Sequence, residues 1–373
     1  MVSLPPSTSA VSRALESVFA RPAILVGRAS HALEIVLREV APGGVVALSP
    51  IVCQDVIAAV LASGCTPWFV DIDPVTGQVP LGEWEGARAS GASTAIVVHL
   101  FGNGADVPSV RGIFPEPECL VIDDAAQALG TRWRGRLAGT DGDLGLLSFG
   151  YSKQLDGGGA AVLTANPAVA ASLAALTTDT AFATAEEVQR VRAGFRLRLD
   201  LARSRLASEG RDAASAFEGL LDDYAPSLHE PLGAHSVARL AETLPALDVI
   251  LARRRAKADL WSSLLAGTPL VPVGMGPDEV PWRYTCRLPG LDWPDQHRIA
   301  EALRAEGVPV STWYLPGQWF VRGHARVLPG AERLSREVFQ FWVDDQTGED
   351  DIVRQASRVR EVLARTPAGR PDA

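Results

Sequence analysis

Three short segments, in chain order, carry residue types that chemistry needs. Gly27-Arg28-Ala29-Ser30 joins an apolar run, Ala23–Val26, to an amphipathic stretch beginning at His31. A small-residue turn before a helix N-terminus offers free backbone N–H groups, a hydroxyl and the positive end of a helix dipole, which together cradle a phosphate. Many helices simply begin with Ser, so the turn alone is weak. In Val121-Ile122-Asp123-Asp124-Ala125-Ala126-Gln127 an apolar strand runs straight into a carboxylate, with an amide three residues later. Such a carboxylate can hold a pyridine nitrogen protonated, or it can cap the next turn. Lys153 lies between the apolar run Gly145–Phe149 and Gly157-Gly158-Gly159. Beyond the carboxyl end of a parallel strand, where ligands bind, a partly desolvated lysine has a lowered pKa and attacks aldehydes. The plain alternative is a surface lysine. Composition sharpens the choice: lysine and arginine total 35, and only Lys153 and Lys257 are lysines. Lys257 follows Arg253-Arg254-Arg255 and reads as a solvated charge. Phosphate cradle, carboxylate and lysine, in that order, are what pyridoxal phosphate requires.

The elements that must position these residues are legible as period and punctuation. Val45–Leu48, Trp68–Asp71, Ala95–His99, Cys119–Ile122, Gly145–Phe149 and Ala160–Leu163 are apolar throughout, as strands buried on both faces are. Helical patterns lie between them, such as Leu33, Val36, Leu37 and Val40. The expected fold class is therefore α/β, a doubly wound and mostly parallel sheet flanked by helices. After Asn166 the pattern is helical to about residue 225 and includes Arg190, Arg192, Arg196, Arg198, Arg203 and Arg205, either a solvated face or an anion-binding one. A long helix is expected over Val237–Leu265. Beyond it, Arg283–Leu288 and Val308–Trp313 read as strands, Thr347-Gly348-Glu349-Asp350 as a capping box for a last helix, and Thr366–Ala373 as a frayed tail. At roughly 100–200 residues per domain, 373 residues predict two: a large cofactor domain over 1–245, with 167–225 inserted, and a smaller α+β domain over 246–373.

A net charge of −9 provides no global basic field for nucleic acid or anionic lipid. No apolar stretch reaches 18 residues, and Met1–Pro6 lacks the look of a signal peptide. The four cysteines are widely spaced and no His-Glu-x-x-His occurs. A reduced, cytoplasmic and metal-free protein is expected.

The same segments resemble the DegT/DnrJ/StrS-type sugar aminotransferases, within PLP fold type I. Gly27–Glu34, Ala62–Pro74, Val98–Gly102, Ile122–Ala128, Gly142–Lys153 and Leu303–Tyr314 carry the resemblance. It implies Lys153 as the Schiff-base lysine and proton shuttle, Asp124 on the pyridine nitrogen and Gln127 near the ring hydroxyl. Ala29, Ser30 and Ser148 would hold the phosphate. It further implies a homodimer with the active site at the interface, glutamate as amino donor, and a nucleotide-linked keto-deoxysugar or keto-cyclitol as acceptor, its phosphates met by arginines such as Arg28, Arg196, Arg198 or Arg283.

Departures from the family bear on the substrate. No aromatic follows Pro50, so Val52, Cys53 or Gln54 must cover the ring face. Leu129 stands where a His is common, and His229-Glu230-Pro231-Leu232 replaces an Asn-x-Arg segment. Trp313-Tyr314 occupies a stretch that usually holds a His. His229, Trp313 and Tyr314 are thus the candidate substrate contacts. A PLP-dependent lyase, or a degenerate cofactor-binding regulator, remains the alternative; family dehydratases lack the lysine.

Overall fold

A computed structural model describes residues 7–175, 182–324 and 326–365; the expected frayed tail lies outside them. Seven strands form the central sheet: β1 (Ala23–Val26), β2 (Val45–Leu48), β3 (Thr66–Phe69), β4 (Thr94–Val98), β5 (Leu120–Asp124), β8 (Leu144–Ser148) and β9 (Ala160–Leu163). Between β5 and β8, β6 (Arg132–Trp133) and β7 (Arg136–Leu137) make a separate two-stranded ribbon. The order is β1-β9-β8-β5-β4-β2-β3, with β9 alone antiparallel to its neighbours. The fold is the expected α/β architecture, with strands offset from the predicted runs by at most two residues at either end.

Helices cover both faces, which is why the strands are apolar throughout. The N-terminal helices are α1 (Thr8–Phe19), α2 (Ala29–Val40), α3 (Gln54–Ala62), α4 (Leu81–Ala89) and α5 (Val107–Ile113). Then come α6 (Pro167–Ala175), α7 (Ala185–Glu209), α8 (Ala234–Thr243) and α9 (Leu247–Leu265). Val46, Leu48 and Ile122 pack with Leu33 and Leu37 of α2 and Phe195 of α7. Leu25 and Leu147 face Leu15 of α1 and Leu240 of α8, and Ala95 and Val121 face Trp84 and Phe114. Helix α7 is capped by Thr184, whose hydroxyl accepts from the Glu187 N–H at 3.1 Å. It buries Val188, Phe195, Leu199, Ala202 and Leu206 at helical spacing.

The long helix expected over Val237–Leu265 is broken at Leu244–Ala246, a 3-10 turn holding Pro245, whose ring cannot continue the helix. Helix α9 spans two cores: Leu247 and Leu251 join α1 and α8, whereas Ala258, Trp261 and Leu265 join a second apolar cluster. That cluster is built on β10 (Val271–Pro272), β11 (Tyr284–Arg287), α10 (Trp293–Ala305), α11 (Pro329–Glu337), β12 (Val338–Phe341) and α12 (Glu349–Arg365). Strand β11 matches the expected Arg283–Leu288. Val308–Trp313 forms no strand; only Ser311 bridges to Gln340, on the edge of β12 away from β11. The capping box is also shifted. Asp351 closes back onto the Gly348 N–H at 3.0 Å, and the Thr347 hydroxyl donates to Asp344. Lys257 is half-buried and donates to the Asp344 carbonyl at 2.5 Å, so it is a packed interelement contact and not a solvated charge. No helix among the described residues is long and apolar enough to cross a membrane.

Candidate active site

Register brings the predicted residues to one edge of the sheet. Ala160 pairs with Val26 on one side and with Ser148 on the other. The turn Gly27–Ser30 and the loop after Ser148 therefore leave the sheet at the same level, two strands apart. Asp124 ends β5, next to β8. Gly27 is required there: a Cβ would stand 2.0 Å from the Glu230 carbonyl oxygen. Helix α2 starts after Arg28 with no side chain capping its first turn, so the N–H groups of Ala29 and Ser30 stay free for an anion.

Lys153 sits in a loop with a constrained shape. Ser152 before it has φ +65°, an uncommon conformation for a residue with a Cβ. The chain is pinned there from a distant segment: Trp282 Nε1–H donates to the Ser152 carbonyl at 2.9 Å and Arg254 Nη2 to the Lys153 carbonyl at 2.8 Å. The ammonium lies 5.2 Å from the centre of the Trp282 ring. Burial pushes the Lys153 amine below the usual lysine range, Arg283 adding to this while Cys53 and Asp124 oppose it. Asp124 is 2% exposed; burial raises its carboxyl, against the Ala126 N–H, which donates to Oδ1 at 2.9 Å, and Lys153. Among the described residues nothing bonds its second oxygen. Neighbouring Asp123 points to the other face, accepting from His99 Nε2 at 2.7 Å and the Asp141 N–H at 2.9 Å. Gln127 Oε1 accepts from the Phe101 N–H, and its amide donates to the Tyr314 hydroxyl at 2.9 Å.

A cavity of about 630 Å³ opens at Lys153. Trp313 and Tyr314 line it, as do Cys53 and Gln54. Val52 is buried outside it. Gln54 accepts from Trp313 Nε1–H at 3.2 Å, and burial pushes the Cys53 thiol up to about 12, so it is neutral. His229 does not reach this cavity; it bonds Glu34 at 2.7 Å, on α2.

The wall is strongly cationic, with Arg28, Arg192, Arg196, Arg203, Arg283 and Arg304 facing Asp55 as the one carboxylate of the lining. Arg28 pairs with Asp55 and with Glu230, and Arg192 with Glu230. Arg203 and Arg283 have no carboxylate partner among the described residues; each rests on indole rings, Arg203 on Trp313 at 4.9 Å and Arg283 between Trp282 and Trp342 at 4.3 and 4.2 Å. Arg198 bonds the Leu220 carbonyl instead of lining the cavity. Trp282 and Tyr224 were not among the expected site residues, and Arg203 was named only within the arginine run that could be a solvated or an anion-binding face. For Arg203 a signal existed: positions 192, 196 and 203 are spaced i, i+4 and i+11, one stripe of a helix.

These residues suit pyridoxal phosphate chemically. A lysine amine of lowered pKa, a buried carboxylate with a spare oxygen and an uncapped helix N-terminus match its aldehyde, ring nitrogen and phosphate.

Comparison with known proteins agrees. The sequence profile of the DegT/DnrJ/EryC1/StrS aminotransferase family matches residues 12–208. A UDP-N-acetyl-3-dehydro-alpha-D-glucosamine 3-aminotransferase of Acidithiobacillus ferrooxidans is 28% identical over 91% of this chain and 84% of its own. An L-glutamine:2-deoxy-scyllo-inosose aminotransferase of Streptomyces kanamyceticus is 28% identical over 78% of this chain and 64% of its own, so the chain spans under two thirds of that relative. Among solved structures, DesI with its TDP-sugar product superposes with a TM-score of 0.74 at 22% identity, covering 96% of this chain and 85% of that one. A Streptococcus pneumoniae protein solved in its PLP form gives 0.76 at 17% identity, over 98% and 93%. At these identities the structural likeness establishes the fold.

Proposed function

The chain belongs to the DegT/DnrJ/EryC1/StrS aminotransferase family and is a pyridoxal-phosphate-dependent aminotransferase. From that premise we propose that it moves an amino group from glutamate to the keto group of a nucleotide-linked deoxysugar or a related keto-cyclitol. The observation that carries the acceptor class is the arginine wall. Arg203 and Arg283, half-buried without carboxylates, are poised for the bidentate contacts that phosphate oxygens make. The two curated relatives described above, which act on a UDP-linked keto-sugar and a keto-cyclitol, support this class.

Lys153 would hold the cofactor at its aldehyde carbon, and Asp124 would offer its free oxygen to the ring nitrogen. Gln127, oriented by Phe101 and Tyr314, would meet the ring hydroxyl. Ala29 and Ser30, with Ser148, would hold the phosphate. The bound cofactor supplies an electron-withdrawing ring that makes the donor's Cα–H acidic. Lys153 carries the proton at Nζ; its lowered pKa leaves a larger share of the amine free to accept one. Trp313 and Tyr314 exclude water on the acceptor side of the cavity. We also assign residues 1–245 to the cofactor domain and 246–373 to the smaller one, and expect a cytoplasmic homodimer whose second copy completes the cavity.

The test is spectroscopic. Purified protein should be yellow with pyridoxal phosphate, bleach on adding glutamate, and regain colour with a nucleotide-linked keto-sugar. Bleaching by glutamate without recovery on any such acceptor refutes the acceptor class. Colour that no amino acid bleaches refutes the transamination half-reaction and favours a lyase.

A further inference from the structure

We propose that His31, Glu34 and His229 form a binding site for one divalent transition-metal ion of the zinc type, outside the catalytic cavity. His31 and Glu34 stand at i and i+3 on α2, one face of the helix. His229 is brought over them by the segment that crosses Gly27. One ligand atom from each lies within 4.8 Å of the other two. Two imidazoles and a carboxylate are a set that zinc, cobalt or nickel binds, with a water in the fourth position. The sequence offered no sign of this, because His229 lies almost 200 positions from its partners and no motif spacing links them.

His31 is 6% exposed, and among the described residues neither of its ring nitrogens has a hydrogen-bond partner. Its ring lies 4.4 Å from that of His229, tilted by 37°. The His31 nitrogens are thus open to a ligand beside the Glu34 carboxylate. Arg38 grips Glu34 Oε1 and so leaves Oε2 turned to the histidines, the kind of outer contact that orients a metal ligand.

Ligand bonds of about 2.0–2.2 Å in a tetrahedron put ligand atoms roughly 3.4 Å apart. The 2.7 Å contact of His229 Nε2 with Glu34 therefore opens as the ion enters; the ring proton shifts to the neutral tautomer on Nδ1, and the freed Nε2 lone pair binds the metal. The ion would fasten segment 229–232 to α2. Glu230, next in the chain, holds Arg28 and Arg192 at the cavity wall.

The experiment is titration of chelator-treated holoenzyme with Co²⁺, read by its visible ligand-field bands, and with Zn²⁺ by chelator competition and by the melting temperature. One ion per chain is expected. His31→Ala and His229→Ala should each weaken it by more than the ~10- to 100-fold that loss of an outer contact costs. Exposed His297→Ala should leave binding unchanged. Should either alanine variant fail to fold, Glu34→Gln, and X-ray absorption of the zinc-loaded wild type showing two imidazoles, decide in its place. No stoichiometric ion in the wild type, binding that survives these substitutions, or zinc without two imidazoles overturns the proposal.

Discussion

Arg203→Met separates a binding arginine from a structural one. Burial, aided by Arg304 and opposed by Asp200, lowers the Arg203 guanidinium from 12.5 to about 10. A depression of that size corresponds to about 3 kcal/mol of unfavourable desolvation, and solvent at the cavity mouth trims it to roughly 2 kcal/mol. Because the folded value is the lower one, this cost is borne in full at neutral pH and is relieved only as pH rises above about 10. Against it stand one hydrogen bond, Nη2 to the Trp313 carbonyl at 2.7 Å, and the stacking on that indole. Those contribute about 2 kcal/mol together. Methionine keeps the packing volume and removes all of these effects, so the ligand-free melting temperature should stay within about 2 °C of wild type. The acceptor half-reaction should fall by about 10- to 150-fold in kcat/KM, the loss of a charge-assisted pair of roughly 1.5–3 kcal/mol, while bleaching by glutamate is unchanged. Separate stopped-flow measurement of the two half-reactions, with melting in the presence and absence of UDP, provides the assay. A variant that melts far below wild type yet keeps its acceptor kinetics would show that Arg203 is structural and refute the reasoning.

Three further outcomes are expected. The rate at which cofactor-free protein turns yellow with pyridoxal phosphate should rise with pH and level off below the 10.5 of an ordinary lysine, since burial favours the free amine; a profile matching a free lysine contradicts this. Gly27→Ala places a Cβ 2.0 Å from the Glu230 carbonyl, and the strain should destabilise the protein by about 1–3 kcal/mol in denaturant melts and weaken cofactor affinity. Glu337→Gln strands Arg287, since that ion pair is 1% and 4% exposed at 2.7 Å; a loss of about 3–5 kcal/mol is expected by the same melts, and an unchanged midpoint would argue against it.

What was legible in the sequence was local. Strands such as Leu144–Leu147 are buried on both faces and so had to be apolar at every position. The turn Gly27–Ser30, the strand-end Asp124 and the scarce Lys153 each announced themselves within a dozen residues. Failures arose where a distant partner decided the outcome. Val308–Trp313 has strand composition, but it meets the edge of β12 at Ser311 alone, and Pro245 divides a helix whose apolar period continues past it.

The sequence by itself determined the order of the catalytic elements, because helix and strand periods and the chemistry of Asp, Lys and a small-residue turn are properties of neighbouring residues. Only the tertiary structure decided what surrounds them. Trp282 and Arg254 clamp the Lys153 loop from more than 100 positions away. Tyr314 orients Gln127, and His229 meets α2 rather than the cavity. Such contacts follow from the stacking of α7, α9 and β11 around the sheet edge, and burial at that edge, not any spacing along the chain, shifts the pKa of Lys153 and Arg203.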